Sequence, residues 1–298
     1  MPELPEVELL CRQLERILPG RTIVDFECRK AKLCRLRAIE AAGSDDPAAR
    51  MRELLVGRRI EAVDRRGKFL LWALSGGLVL AIHLKLAGQV VVVGPDGREL
   101  ARGGHWAPRP GVPLPHRATH VVFRLDDGSV VYLTDIRQFA RLTLMPAGEV
   151  EAFLREFGLG PDGLREPIDP DRLEQVFRRR PKAPIKAVLL DQAVVAGLGN
   201  IYADEVLFAT GIHPLRPAAG LSRAEIEALA AAIPRILSRA VVEGAAPVIG
   251  DRAAREDGLP EVHGREGQPC RRCGSPIRRI RVGGRSTYFC PVCQPLKA

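Results

Sequence analysis

The sequence predicts an α+β protein of more than one domain, with a β-rich N-terminal part and a helical C-terminal part. Short apolar segments separated by turn residues recur from Thr22 to about Met145. Helical spacing of apolar residues replaces them after Pro146. Two closely spaced cysteine pairs then mark a small hairpin within residues 264–298. With 298 residues, the chain is long enough to bury two cores.

The N-terminal part, expected over residues 1–146, begins with an amphipathic helix over 5–18. A short helix is expected over 45–55, and a loop rich in Gly, Pro and Arg over 102–117. Repeated short strands with glycine turns are typical of a β-sandwich or a barrel. The candidate strands are Thr22–Cys28, Arg58–Val63, Phe69–Leu74, Leu78–Leu84, Gln89–Val93, His120–Leu125 and Val130–Thr134.

The helical part is expected over residues 147–263. Asp169-Pro170 is a favourable helix start, because Asp caps a helix and Pro suits its first position. Asn200 opens a further helix. Ser222-Arg223-Ala224-Glu225 is a capping box before a long helix, which Pro234 should kink.

The C-terminal hairpin, expected over 264–298, carries two C-x-x-C pairs separated by sixteen residues, a spacing that predicts zinc. Four thiolates leave the metal no open position, so one structural zinc would stabilise a hairpin too small to fold alone. Two disulfides are the alternative, which a reducing compartment disfavours. The predicted ligands are Cys270, Cys273, Cys290 and Cys293; the isolated Cys11, Cys28 and Cys34 are expected to be thiols.

The net charge is +9, and the positive charges cluster. No acid stands between Gly267 and Ala298, a segment that holds six arginines, and Arg178-Arg179-Arg180 forms a second run. This clustering favours a polyanionic partner; a basic soluble protein without one is the alternative. The sequence has no run of 18 apolar residues and no recognisable secretory signal, so we expect a cytoplasmic monomer without membrane contact.

The first residues offer chemistry if Met1 is removed. Pro2 would then present a secondary α-amine, and an α-amino pKa of roughly 7.7–8 leaves part of it neutral and nucleophilic. Attack of an amine on an aldehyde-like carbon gives an iminium, and Glu3 and Glu6 would supply nearby carboxylates for proton transfer. The alternative is an ordinary helix start, where Pro and Glu are both favourable.

Five motifs follow one another along the chain: PELPEVE over 2–8, RRGKFLL over 65–71, TDIRQF over 134–139, LDQ over 190–192 with GLGNIY over 197–202, and GREG over 264–267. Together they resemble the formamidopyrimidine-DNA glycosylase and endonuclease VIII family of bifunctional base-excision repair enzymes. The resemblance covers almost the whole chain. Its opening PELPEVE is closer to the formamidopyrimidine-DNA glycosylase branch.

The resemblance implies an N-terminal β-sandwich, a helical domain with a helix–two-turn–helix motif, and the zinc hairpin. It implies an enzyme that flips damaged nucleotides out of double-stranded DNA, removes oxidised purines, and cuts the strand by β,δ-elimination. Pro2 would attack C1′, Glu3 would assist opening of the sugar ring, and Glu6 would support it. Lys68 would hold a phosphate near the lesion; a surface lysine is the alternative.

The resemblance also implies the DNA contacts. Three residues would fill the gap left by the flipped base: Leu86, Arg137 and Phe139. Without the resemblance, Leu86 and Phe139 would be assigned to the core. Asn200 and the N–H groups of its helix start would bind phosphate, unless Asn200 is a plain N-cap. Arg285 would contact phosphate on the zinc hairpin, and Lys186 would add a phosphate or base contact.

The chain departs from the family at three places. Leu86 stands where the family usually has methionine, and Gln138 where it has arginine. The stretch 245–263 is shorter than the family's loop that closes over 8-oxoguanine, so oxidised pyrimidines or hydantoins are the alternative substrates. A non-catalytic, zinc-containing nucleic-acid-binding protein is the alternative of another class, but binding alone does not require the intact N-terminal motif.

Overall fold

The computed structural model describes residues 2–39, 45–105, 107–245 and 258–296. The chain divides into two compact units, one of Met1–Pro2 and Glu6–Glu156, the other of Glu3–Pro5 and Phe157–Ala298. The first is rich in strands and the second in helices, which confirms the predicted α+β class. Among the described residues, no helix has both the length and the apolar composition needed to cross a membrane.

The first unit contains two five-stranded sheets. The strands are β1 Ile23–Cys28, β2 Cys34–Leu36, β3 Ile60–Arg66, β4 Phe69–Leu74, β5 Leu78–His83, β6 Gly88–Val93, β7 Glu99–Gly104, β8 Thr119–Leu125, β9 Val130–Asp135 and β10 Arg141–Pro146. One sheet has the order β1-β8-β9-β6-β7 and the other β2-β10-β5-β4-β3. Trp72 of β4 and Phe123 of β8 lie 5.2 Å apart between ring centroids within one apolar core, so the two sheets form a sandwich.

The helices of the first unit are α1 Leu4–Ile17, α2 Pro47–Leu55 and α3 Val150–Glu156. The apolar face of α1 enters the sandwich core through Leu10 and Leu14, which confirms the predicted amphipathic helix. Strands β2, β7 and β10 escaped prediction. Strand β7 extends into the predicted loop over 102–117, because it pairs with β6.

The second unit contains α4 Pro170–Arg179, α5 Ile185–Leu189, α6 Asn200–Ala209 and α7 Arg223–Val242. Asp169 caps α4 and the capping box of Ser222 begins α7, as predicted. Strands β11 Arg278–Val282 and β12 Arg285–Phe289 form the predicted hairpin. Most of the atypical stretch 245–263 lies outside the described residues.

Candidate functional site

Glu3 binds the N-terminus of helix α6. Its side chain is nearly fully buried, and its two carboxylate oxygens accept hydrogen bonds from the N–H groups of Ile201 at 3.0 Å and Tyr202 at 3.4 Å. The first turn of a helix has unpaired N–H groups and a partial positive charge, which favour a carboxylate there. The structure therefore holds Glu3 by charge-assisted hydrogen bonds.

The turn before α6 is shaped to receive this carboxylate. Gly199 is the N-cap of α6 with an extended backbone. A Cβ atom at Gly199 would lie 2.5 Å from both carboxylate oxygens of Glu3, far inside van der Waals contact. Gly197 has a φ of +91° and accepts a backbone hydrogen bond from Leu4 at 3.2 Å. The two glycines of this turn thus leave room for residues 3–4.

This arrangement excludes the alternative that Asn200 is a plain N-cap, while its expected contact with DNA stays a prediction. Asn200 is the first residue of α6 rather than its N-cap, and the N–H groups that follow it bind Glu3 and not a phosphate. The Asn200 amide donates to the carbonyl of Ser286 at 2.9 Å, while its Oδ1 atom is buried without a hydrogen-bond partner. Sequence reasoning missed that Glu3 occupies this helix terminus.

Lys186 is fully buried, so the structure does not place its ammonium where a phosphate or base could reach it. It forms an ion pair with Asp204 at 2.7 Å and donates to Thr287 at 2.8 Å and to the carbonyl of Ser286 at 3.1 Å. Burial lowers its pKa, and the charge of Asp204 opposes that shift. In this structure Lys186 ties α5 and α6 to the hairpin, and the expected DNA contact of Lys186 stays a prediction.

A buried polar network extends from this ion pair. Asp204 accepts from the N–H of Tyr288 at 3.1 Å and lies 2.7 Å from Nδ1 of His263. The adjacent Glu205 accepts three backbone hydrogen bonds, from residues 261–263, at 2.7 to 3.1 Å. Burial raises the pKa of Glu205, although these hydrogen bonds oppose it. Two adjacent acids inside an otherwise apolar helix were the sequence signal for this network.

The four predicted zinc ligands come together at the base of the hairpin. All four Sγ atoms lie within 4.8 Å of one another. Cys270 and Cys293 are separated by 3.9 Å between sulfurs, and Cys273 and Cys290 by 3.4 Å. Zinc–sulfur bonds of about 2.3 Å in a tetrahedron require sulfurs about 3.8 Å apart. The set fits one structural zinc, which would hold the hairpin together.

In the first unit, Glu6 lies on α1 and Lys68 in the β3–β4 turn. Both are largely buried. A buried ion pair of 2.5 Å joins Arg65 of β3 to Glu8 of α1, and Arg65 also donates to the carbonyl of Gly67 at 3.3 Å. The ion pair therefore fixes the turn that carries Lys68 against the helix that carries Glu6. Pro2 precedes this helix and is buried.

Two of the residues expected to fill the DNA gap share one loop. The carboxylate of Asp135 accepts hydrogen bonds from the N–H groups of Arg137 at 2.9 Å and of Phe139 and Ala140 at 2.7 Å. The Phe139 side chain is 44% exposed, so it is not a core residue. The Arg137 guanidinium lies 5.5 Å from the centroid of the Phe139 ring. The loop thus presents an apolar and a cationic side chain together.

Leu86 lies close to this loop. Gly88 pairs with Asp135 between β6 and β9, so the β5–β6 and β9–β10 connections leave the sheet side by side. Leu86 is half-buried in the former connection. His83, just before it, accepts from the N–H of Lys85 at 2.9 Å, and burial lowers the pKa of His83 to about 3. This end of the first unit therefore presents all three expected gap-filling residues.

The chain matches family models and relatives among known proteins. Residues 1–142 match the "Formamidopyrimidine-DNA glycosylase N-terminal domain", 159–249 the "Formamidopyrimidine-DNA glycosylase H2TH domain", and 267–296 the "Zinc finger found in FPG and IleRS". The chain is 37% identical to the formamidopyrimidine-DNA glycosylase of Desulforamulus reducens, with all of both chains covered. It is 39% identical to that of Chloroflexus aurantiacus, covering 99% of this chain and 98% of the relative.

Solved structures resemble the chain over its length. A complex of Lactococcus lactis FPG (MutM) with a Fapy-dG-containing DNA matches with a TM-score of 0.82 at 31% identity, covering 99% of this chain and 100% of that one. A complex of the L. lactis protein with an abasic-site DNA matches with a TM-score of 0.82 at 30% identity and the same coverage.

Proposed function

Because the chain belongs to the formamidopyrimidine-DNA glycosylase family, we propose that its N-terminal residues and Lys68 carry out the family's reaction. The chain is a bifunctional glycosylase and AP lyase that acts on damaged double-stranded DNA, and its hairpin is a zinc finger for one structural zinc. One observation carries the assignment of residues: the carboxylate that follows Pro2 in the chain is seated on a helix N-terminus.

In the proposed reaction, the Pro2 nitrogen forms a bond to C1′ of the damaged nucleotide. The glycosidic C1′–N bond breaks, and the base leaves with its electron pair and takes up a proton. The sugar ring opens when O4′ receives a proton and the nitrogen lone pair forms the iminium. The Pro2 nitrogen loses its proton after it bonds to C1′, and we assign to Glu3 the transfer of that proton to O4′, with Glu6 supporting the exchange of protons.

Strand cleavage follows from the iminium. Its positive nitrogen withdraws electrons, so the proton on C2′ becomes acidic and its loss expels the 3′ phosphate. A second elimination expels the 5′ phosphate. Lys68 and Arg285 would hold phosphates beside the lesion, since Arg285 is exposed at the start of β12. Asn200 would donate the second N–H of its side-chain amide to a phosphate, because the amide nitrogen carries two donors and the carbonyl of Ser286 accepts one of them.

The proposed lesions are oxidised purines, 8-oxoguanine and formamidopyrimidines. A structure of the L. lactis relative with a Fapy-dG-containing DNA supports this choice. Oxidised pyrimidines are the second candidate, because another structure of that relative holds "an oxidized pyrimidine containing DNA". The expected gap-filling residues Leu86, Arg137 and Phe139 serve either class, because they act on the stack and not on the lesion.

Base release under single-turnover conditions tests the proposal. Duplexes would carry 8-oxoguanine, a formamidopyrimidine or an oxidised pyrimidine at one position. We expect release of the two purine lesions by the wild type and loss of strand cleavage in Glu3→Gln. Glu151→Gln, which changes an exposed carboxylate of α3, is the matched control and should behave as wild type. Preference for the pyrimidine would overturn the lesion assignment; full activity of Glu3→Gln would overturn the role of Glu3.

We assign catalysis to residues 1–146, DNA binding by the helix–two-turn–helix motif to 147–263, and the zinc finger to 264–298. The enzyme would act as a monomer in the cytoplasm, on chromosomal DNA, because that is where its substrate lies.

A further inference from the structure

Three chain connections lie side by side at one end of the sheet β1-β8-β9-β6-β7, and the connection that follows β1 leaves at the same end. Residues 84–87 enter β6 there, 136–140 leave β9, and 105–118 run from β7 to β8. The pairing of Gly88 with Asp135 and the hydrogen bond from the N–H of Asp135 to the carbonyl of Ala118, at 2.8 Å, bring the three connections together. Two of them carry the expected gap-filling residues. The third has no role in the function proposed above.

The two ends of this sheet differ in charge. The three connections contain Lys85, Arg109, Arg117 and Arg137, and they contain no acidic residue. At the opposite end, the turns 94–98 and 126–129 and the connection 19–22 into β1 contain three aspartates and two arginines. A polyanion would therefore be attracted to the first end and not to the second.

The segment 107–117, which we name the proline loop, is tied to the sheet at both ends. At its start, Arg102 donates to the carbonyl of Pro108 at 2.9 Å, and the N–H of Ala107 donates to Nδ1 of His105 at 3.1 Å. At its end, the N–H of His116 donates to the hydroxyl of Thr119 at 2.8 Å.

The proline loop is also stiff. Four of its eleven residues are prolines, at positions 108, 110, 113 and 115, which restrict the backbone before any partner binds. Its two arginines, Arg109 and Arg117, are both exposed. A stiff segment loses little conformational entropy on binding. The attraction between its cations and phosphate groups is therefore offset less than it would be on a flexible loop.

We propose that the proline loop is an additional DNA-contacting element, in which Arg109 and Arg117 bind backbone phosphates beside the lesion. This inference rests on the proposed function, because it needs the neighbouring gap-filling residues to face the same duplex. Contacts of this kind add affinity without reading sequence. The loop thus lengthens the backbone contact around the extruded nucleotide.

The expected loss of DNA affinity on removal of the two arginines follows from counterion release. Each neutralised phosphate contributes about 0.9 to the slope of log K against log salt. Loss of both arginines should lower the slope by about 1.8 and weaken binding at 0.15 M salt roughly 30-fold, about fivefold for each. Lysine retains the charge, so the double Arg→Lys variant should keep most of the affinity and the slope.

The test measures the affinity for a duplex that carries a tetrahydrofuran abasic analogue. The salt concentration is varied from about 50 to about 300 mM, so that the slope of log K against log salt can be determined. It compares wild type, Arg109→Ala/Arg117→Ala, the double lysine variant and Arg98→Ala. Arg98 is the matched control, since it lies on the turn at the opposite end of the same sheet. Equal midpoints of thermal unfolding verify that each variant is folded.

A smaller slope and weaker binding in the double alanine variant alone would support the inference. If the double alanine variant bound as Arg98→Ala does, while wild type bound tightly, the proline loop would have no contact with DNA and the inference would be overturned by itself. If wild type neither bound this duplex nor formed a borohydride-trapped adduct with abasic DNA, the proposed function would fail and this inference with it.

Discussion

Replacing Gly199 by alanine should disable catalysis by displacing Glu3, although neither the charge nor the identity of Glu3 changes. The new Cβ would lie 2.2 Å from the carboxyl carbon of Glu3 and 2.5 Å from both its oxygens, whereas ordinary van der Waals contact begins at 3.4 Å, so the carboxylate must retreat by about 1.2 Å. The backbone of Gly199 is extended, with a φ of −129°, so alanine adopts it without strain. The contact between the new Cβ and the Glu3 carboxylate is therefore the only change that this substitution introduces.

The retreat lengthens both hydrogen bonds to the helix N-terminus, from Ile201 and Tyr202. A hydrogen bond to a charged group contributes about 1.5–3 kcal/mol, and the 3.4 Å bond is at the weak end. A loss of about 3 kcal/mol corresponds to a rate decrease on the order of 100-fold. A misplacement of about 1 Å at a reacting group has an effect of similar size.

Single-turnover cleavage of an abasic duplex at saturating enzyme measures this rate. Gly220→Ala is the matched control, because a Cβ at Gly220 would meet nothing within 4 Å. We expect Gly199→Ala to be about 100-fold slower and to resemble Glu3→Gln, while its affinity for an abasic analogue changes little. A rate for Gly199→Ala within threefold of the control would refute the reasoning, since the helix N-terminus would then not position Glu3.

Three more outcomes follow from other parts of the structure. Glu205→Ala leaves three buried N–H groups without an acceptor and should lower the free energy of unfolding by roughly 3 kcal/mol or more, whereas Glu205→Gln, which keeps an acceptor, should lose less in urea titrations. Burial lowers the pKa of His83 to about 3, so as the pH falls from 7 to 5 this residue takes up a proton in the unfolded chain but not in the native chain. The free energy of unfolding of the wild type should therefore fall by about 1–2 kcal/mol more than that of His83→Asn over this interval. Equal decreases in the two proteins would contradict the assignment. Cys290→Ser should reduce bound zinc from one ion per chain to none and weaken DNA binding, which metal analysis and a binding titration would check; full zinc content would contradict a four-cysteine site.

Features with strong local signals were predictable from sequence. Helix α1 follows from its apolar spacing, and the capping box of Ser222 marks the start of α7. The four zinc ligands follow from the spacing of their pairs. In each case the residues near one another in sequence determine the structure.

Features that depend on distant partners were not predictable. Strand β7 contains two glycines and reads as a loop; it forms because it pairs with β6 and because Gly103 lets Leu10 of α1 pack closely, where a Cβ would lie 2.7 Å from that of Leu10. The burial of Lys186 depends on the hairpin one hundred residues later. Likewise, no local signal shows that Glu3 occupies the helix start at Ile201.

The most direct test of the central claim is to locate the covalent bond between protein and DNA. Protein verified to lack Met1 is incubated with an abasic duplex and borohydride, digested, and mapped by mass spectrometry. We expect one reduced adduct, on the nitrogen of Pro2. An adduct on Lys68 or another lysine, or no adduct at all, would contradict it, because the proposed mechanism has no other nucleophile.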